Sequence, residues 1–288
     1  MGVVASVLRL TRIEHSAMLI VAILSAEILA GGLPGMRLIA FSLVTGIFLS
    51  MSAFAINDYF DVDADRANGM DRPLVKGSLS SGTALFVAAG SMLIGIASSL
   101  FINTYCMLIA IIFGTLSILY SYRLKEIPLI GNAYVAFAMA IPFIFGNYVV
   151  SSRIATSIII VFFMVFLSGL AREIDGTIRD YKGDYRRGAR TLPMSIGKTQ
   201  SAYMALVLYI AAVMLSVYLF LNVMPFLGNL IFAVLIAASD IMILYSGTIF
   251  VLGISRRYEM VRKISLAGMA IALACILLST LAYIRIPF

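Results

Sequence analysis

The sequence predicts an all-α protein, a nine-transmembrane-helix bundle whose polar loops cap an active site. Three observations carry that expectation. Hydrophobic residues make up 62% of the 288-residue chain and charged residues only 12%, about half the charged share of a soluble domain. The apolar residues fall in runs near the ~20 residues needed to cross ~30 Å of hydrocarbon. Backbone polar groups inside lipid must bond within their own segment, which favours helices.

The expected spans are 16–33, 37–57, 83–102, 104–121, 130–150, 154–173, 200–222, 226–252 and 264–286. The joints at 102–104 and 150–154 suit helical hairpins. The run 16–33 is long enough to span and lacks a cleavage site, so no removable leader is expected. Cys106 and Cys275 lie inside apolar runs and read as inert core thiols. The chain is expected to form one domain over 1–288.

Of the 21 Lys and Arg, all but Arg37, Arg153 and Arg285 fall in the N-terminal arm or in the loops after spans two, four, six and eight. Basic loops face the cytoplasm. The N-terminus and these loops are therefore expected inside and the C-terminus outside. This placement explains the net charge of +7 without a nucleic-acid partner.

Five of the 14 acidic residues sit in one stretch, Asn57 to Gly77. A second polar stretch runs from Arg172 to Lys198. Asp61, Asp65, Gly69 and Pro73 in the first match Asp180, Asp184, Gly188 and Pro193 in the second, which reads as a degenerate repeat. Continued as a helix past span two, Asn57, Asp58, Asp61 and Asp65 share one side, while Asp63 points elsewhere. Asp180 and Asp184 are likewise four apart. Clustered carboxylates with no His or Cys nearby suit Mg²⁺, which keeps waters and shares phosphate oxygens. Arg66, Arg72 and Lys76, then Arg186, Arg187, Arg190 and Lys198, follow the carboxylates and suit a phosphate-rich ligand. Two facing loops of this kind can hold one diphosphate between two metals.

At these residues the chain resembles the UbiA superfamily of intramembrane prenyltransferases. The first motif of that family, NDxxDxxxD, stands here as Asn57 to Asp65, and the DxxxD of the second as Asp180 to Asp184. Arg72-Pro73 and the stretch Tyr120 to Lys125, followed by Gly131-Asn132, also match. Thr177 departs from the family, which often has a further Asp there; Asp175 and Glu173 lie close enough to compensate. The RExxxxxRD form of the second motif is most like the archaeal branch, the digeranylgeranylglyceryl phosphate synthases.

The resemblance implies Mg²⁺-dependent transfer of a prenyl group, geranylgeranyl in that branch, from an allylic diphosphate to the lipid-like acceptor geranylgeranylglyceryl phosphate, forming an ether bond. It makes Asp61, Asp65, Asp180 and Asp184 the catalytic carboxylates, and adds Asn57 and Asp58 to the metal set. Arg72, Lys125, Arg66 and Lys198 are expected on the donor diphosphate, and Arg12, Arg190 and Tyr122 on the acceptor. Tyr120 or Tyr122 is expected to offer a π face to the allylic cation. An aromatic prenyltransferase of quinone synthesis is the alternative of the same chemistry, with a membrane terpene cyclase beyond it. A divalent-cation transporter is more distant, because the neighbouring arginines repel free cations. Glu27, Asp240 and His15 are isolated polar residues that read equally as structural groups or as functional ones.

Overall fold

A computed structural model describes residues 2–13, 16–67, 69–186 and 190–284. Eleven α-helices follow one another, with no strand among the described residues. They are α1 Val3–Leu10, α2 Ser16–Gly31, α3 Met36–Ala67, α4 Ser81–Leu100, α5 Thr104–Tyr122, α6 Ile130–Val150, α7 Thr156–Arg186, α8 Leu192–Ile196, α9 Lys198–Asn222, α10 Leu230–Val251 and α11 Tyr258–Ile284. Each expected span corresponds to one helix. Eight of them are long and apolar enough to cross a bilayer. The ninth, α2, is an apolar helix of 16 residues, roughly 24 Å at ~1.5 Å per residue, shorter than the other eight. The protein is thus a multi-pass membrane bundle. Short α1, in the N-terminal arm, has no counterpart among the expected spans.

Side chains at the helix starts supply the missing backbone bonds. Ser80 accepts from the Thr83 amide at 3.0 Å, Asn103 from Cys106 at 2.9 Å, and Asn229 from Phe232 at 3.1 Å. Asn103 also donates to the Tyr148 carbonyl at 2.6 Å, which ties the start of α5 to the end of α6. The two motif helices run well beyond the expected ends of spans two and six, at 57 and 173: α3 continues to Ala67 and α7 to Arg186.

Within lipid, apolar contact alone does not drive helices together, so small residues and hydroxyls take that role. Ser52 of α3 donates to the Ala88 carbonyl of α4 at 2.8 Å, and Ser98 of α4 returns a bond to the Phe41 carbonyl at 3.0 Å. Gly146 of α6 lies against α2 so closely that a Cβ there would stand 2.6 Å from the Ile23 carbonyl oxygen. α2 also packs on α3, α7 and α11, while α4 lies outside this ring against α3 and α5. The core is continuous from Phe143 of α6 through Ile158 of α7 to Phe232 of α10 and Ile276 of α11.

Cys106 and Cys275 are both free and buried. Glu27 is fully buried and accepts from Ser42 of α3 at 2.6 Å, so it joins α2 to α3. Replacing Gly146 with Leu should force α2 and α6 apart and destabilise the bundle by about 1–3 kcal/mol, the usual cost of overpacking. Thermal denaturation of the purified protein in detergent measures this.

Candidate functional site

Asn57, Asp58, Asp61 and Asp65 lie on the last turns of α3, on the side the spacing predicts. Asn57 donates to Asp61 at 2.9 Å, a contact that needs an unbroken helix between them. Asp63 projects away, with Arg66 bound to it at 2.9 Å on the exposed face. Asp58, Asp61 and Asp65 each draw a cation from a different segment.

Asp58 is 1% exposed and accepts from Arg12 of the N-terminal arm at 2.7 Å. Its second oxygen is buried without a partner. Arg12 sits at φ 45°, a costly conformation for a residue with a Cβ, and its guanidinium lies 4.7 Å from the Phe54 ring centroid. Asp61 is bound by Lys125, from the single helical turn Leu124–Glu126 that joins α5 to α6. Asp65 faces Arg72 of the α3–α4 loop at 3.8 Å. Asp71 straps that loop to the arm, with Lys76 at 2.8 Å and Arg9 at 3.2 Å. The hydrogen bond from Lys76, followed by the charge of Arg9, holds its carboxyl below the usual range.

The second motif lies on the last turns of α7. Asp180 is 52% exposed and is gripped by Arg179 through two bonds of 2.8 and 2.7 Å. Arg179 also stands 3.5 Å from Glu259 of α11. Asp184 is buried. Thr177 turns back to the Ile174 carbonyl of its own helix at 2.7 Å. Asp175 does not replace the missing acid, because it is buried and accepts from Tyr209 of α9 at 3.1 Å. Glu173 accepts from Arg172 at 2.8 Å.

Below these carboxylates the bundle encloses a cavity of about 660 Å³, within the range of small-molecule sites. Its wall is mostly apolar, with Leu49, Phe113, Ile141 and Ile276 among the lining residues, and Arg12 and Asn57 reach it from the motif-one side. Tyr120 lines it and stacks on Tyr134 at 4.3 Å. Farther along, Asp240 of α10 lines the wall and accepts from Ser216 of α9 at 2.6 Å.

Of the expected site residues, Arg12, Asn57 and Tyr120 are in this lining, while Asp58, Asp61, Asp65, Asp180, Asp184, Arg72 and Lys125 stand outside it, as do four others. Tyr122 is 62% exposed and meets Phe60 edge-on at 5.8 Å. Lys198 lies 3.9 Å over the Tyr181 ring, Arg190 is exposed, and Arg66 is held by Asp63. His15 and Arg187 lie outside the described residues, as does the side chain of Arg186. Conversely, Arg172 of α7 and Arg262 of α11 line the cavity, although neither was singled out as a ligand. Arg172 carries a sequence signal: it precedes Arg179 by seven residues, two turns along one face. Arg262 carries none, since α11 returns to the site from far along the chain.

The bundle thus holds an apolar cavity beside clustered acidic and basic side chains. The chain matches the UbiA prenyltransferase family over residues 18–256 and belongs to it; it is a membrane prenyltransferase. It is 34% identical over 232 residues to a digeranylgeranylglyceryl phosphate synthase of Archaeoglobus fulgidus, covering 80% of this chain and 79% of that protein. A solved digeranylgeranylglyceryl phosphate synthase superposes with a TM-score of 0.81 and 27% identity, covering 98% of this chain and 100% of the other. A UbiA homolog from Archaeoglobus fulgidus, bound to DMAPP and Mg²⁺, shares the fold with a TM-score of 0.68 at 20% identity, over 94% of this chain and 99% of that one.

Removing one partner of a buried ion pair strands the other and costs about 3–5 kcal/mol. Arg12→Ala should therefore lower the melting temperature more than the double variant Arg12→Ala/Asp58→Asn, in which no unpaired charge remains.

Proposed function

We propose that this protein transfers a geranylgeranyl group from its allylic diphosphate to geranylgeranylglyceryl phosphate, forming the second ether bond of an archaeal membrane lipid. One observation carries this reading: an apolar cavity is lined on one side by Asn57 of the first motif and by Arg12, the cation bound to Asp58. An isoprenoid tail fits the cavity and a diphosphate fits the rim. The glyceryl phosphate acceptor is supported by the synthase that is 34% identical over most of both chains.

The donor types suit Mg²⁺, although among the described residues no three acidic side chains are grouped closely enough to hold an ion as they stand. The donors are oxygens only, three carboxylates share one face of α3, and a buried oxygen of Asp58 has no partner. Asn57, Asp58, Asp61 and Asp65 would hold one ion, and Asp180 with Asp184 a second. Bound there, Mg²⁺ supplies charge neutralisation to the diphosphate leaving group.

Arg72 and Lys125 stand beside Asp65 and Asp61, and their donors can pass to diphosphate oxygens. The bond from the prenyl C1 to the diphosphate oxygen breaks, and its electron pair leaves with the diphosphate. Tyr120, at the cavity wall, turns a π face towards the allylic cation, while the apolar lining excludes water. The acceptor hydroxyl oxygen then bonds to C1 and its proton is released. Arg66 and Lys198, on the outer face, contribute charge to the rim without touching the donor.

The N-terminus and the site loops face the cytoplasm and the C-terminus lies outside, supported by the distribution of Lys and Arg. The chain acts as one domain, with residues 57–77 and 172–198 as matching halves of the site.

Membranes carrying the protein should convert radiolabelled geranylgeranyl diphosphate into ether lipid when given geranylgeranylglyceryl phosphate, and should leave aromatic acids unprenylated. Asp61→Ala and Asp180→Ala should each lower that rate by about 100-fold or more, the scale of losing an electrostatic stabiliser. Full activity in either variant, or product with the aromatic acid alone, contradicts the proposal. Hydrocarbon release without any acceptor would mark a cyclase.

A further inference from the structure

Two arginines in the cavity wall have no part in the donor site described above. Arg172 comes from α7 and Arg262 from α11. Each is tied to a carboxylate on its own helix and keeps donors to spare. Arg172 donates through one terminal nitrogen to Glu173 at 2.8 Å, and its Nε is buried without any partner. Arg262 uses its Nε on Glu259 at 3.1 Å. A buried guanidinium N–H that lacks an acceptor is costly, and such groups normally find one. That Nε is closed off from solvent, so the group Arg172 can offer to the cavity it lines is its second terminal nitrogen.

The cations of the rim thus fall into two sets. Lys125 and Arg72 answer the motif-one carboxylates on α3, where the donor diphosphate is proposed to sit. Arg172 and Arg262 belong to the α7 and α11 wall. Glu259 stands between Arg262 and Arg179, at 3.1 and 3.5 Å, and Arg179 grips Asp180. Arg262 is thereby linked to motif two, and Arg172 stands two turns before Arg179 on the same helix.

A reaction between two phosphate-bearing lipids needs two anion sites, because like charges cannot share one. We infer that Arg172 and Arg262 form the second site, which takes the phosphomonoester of the acceptor. The planar fork of a guanidinium matches phosphate oxygens in pairs. Two such forks from different helices fix the headgroup, so that the glycerol hydroxyl is presented to the allylic carbon. Arg190 and Tyr122, which lie away from the cavity, are not needed for this. The inference rests on the proposed reaction for the identity of the acceptor.

The test is binding of geranylgeranylglyceryl phosphate, and of its dephosphorylated form, to the full-length protein in nanodiscs without donor. Calorimetry on wild type, Arg172→Gln, Arg262→Gln and Arg262→Lys gives the affinities, and initial rates give the KM of each substrate. Wild type should prefer the phosphorylated lipid. Each Gln variant should weaken it by ~10-fold to ~100-fold, the value of a hydrogen bond to a charged group. Binding of the dephosphorylated lipid and the donor KM should stay within about twofold, and Arg262→Lys should recover part of the loss. Unchanged affinity for the phosphorylated lipid in both Gln variants overturns the inference. So does a donor KM that rises in step, or a wild type indifferent to the phosphate. If wild type binds the phospholipid through these arginines but forms no ether, the proposed reaction fails while the anion site stands.

Discussion

The structure depends on neutralising carboxylates near the ends of two long helices. Asp58, Asp61 and Asp65 follow one another along one face near the end of α3, where their like charges repel. α3 has only Arg66 in its last turn, and Asp63 takes it. The counter-charges therefore come from elsewhere: Arg12 from the arm, Arg72 from the following loop, Lys125 from the α5–α6 turn. Three segments distant in sequence are gathered at one rim by that requirement. The same attraction leaves cations beside the spot where a diphosphate is proposed to enter.

The membrane sets the complementary constraint. Inside the bundle nothing is gained by hiding apolar surface from lipid, so contact is made by close approach and by hydroxyls. Gly146 lets α6 touch the backbone of α2, and Ser52 and Ser98 cross-link α3 and α4. The first contact closes the ring around the apolar space, and the other two fasten α4 to its outside. The site is thus a polar rim built by charge pairing over an apolar hollow kept open by tight packing around it.

The helical class, the positions of the spans and the motif-one face were legible because each follows from local periodicity. The i, i+4 bond from Asn57 to Asp61 and the outward turn of Asp63 follow directly from 3.6 residues per turn. At α2 the helix and the apolar run differ, because Gly31 ends the helix two residues before the run stops. Tyr120 and Tyr122 are two residues apart and point to nearly opposite sides, so composition could not choose between them; only Tyr120 lines the cavity. Arg190 and Lys198 flank the five-residue α8, too short to show a period, and charge alone suggested their role. Arg262 was invisible because tertiary return of α11, and no local pattern, brings it to the cavity. Thr177 marked a true departure, yet the acid beside it, Asp175, is committed to Tyr209.

The central claim is that the carboxylate rim takes up a prenyl diphosphate together with Mg²⁺. Its most direct measurement is calorimetric binding of a non-ionisable thio analogue of geranylgeranyl diphosphate, with Mg²⁺ and with a chelator, to wild type, Asp61→Asn and Asp180→Asn. The account predicts tight binding by wild type only when Mg²⁺ is present, and loss of that metal dependence in both variants. Equal affinity with and without Mg²⁺ in the wild type would contradict it.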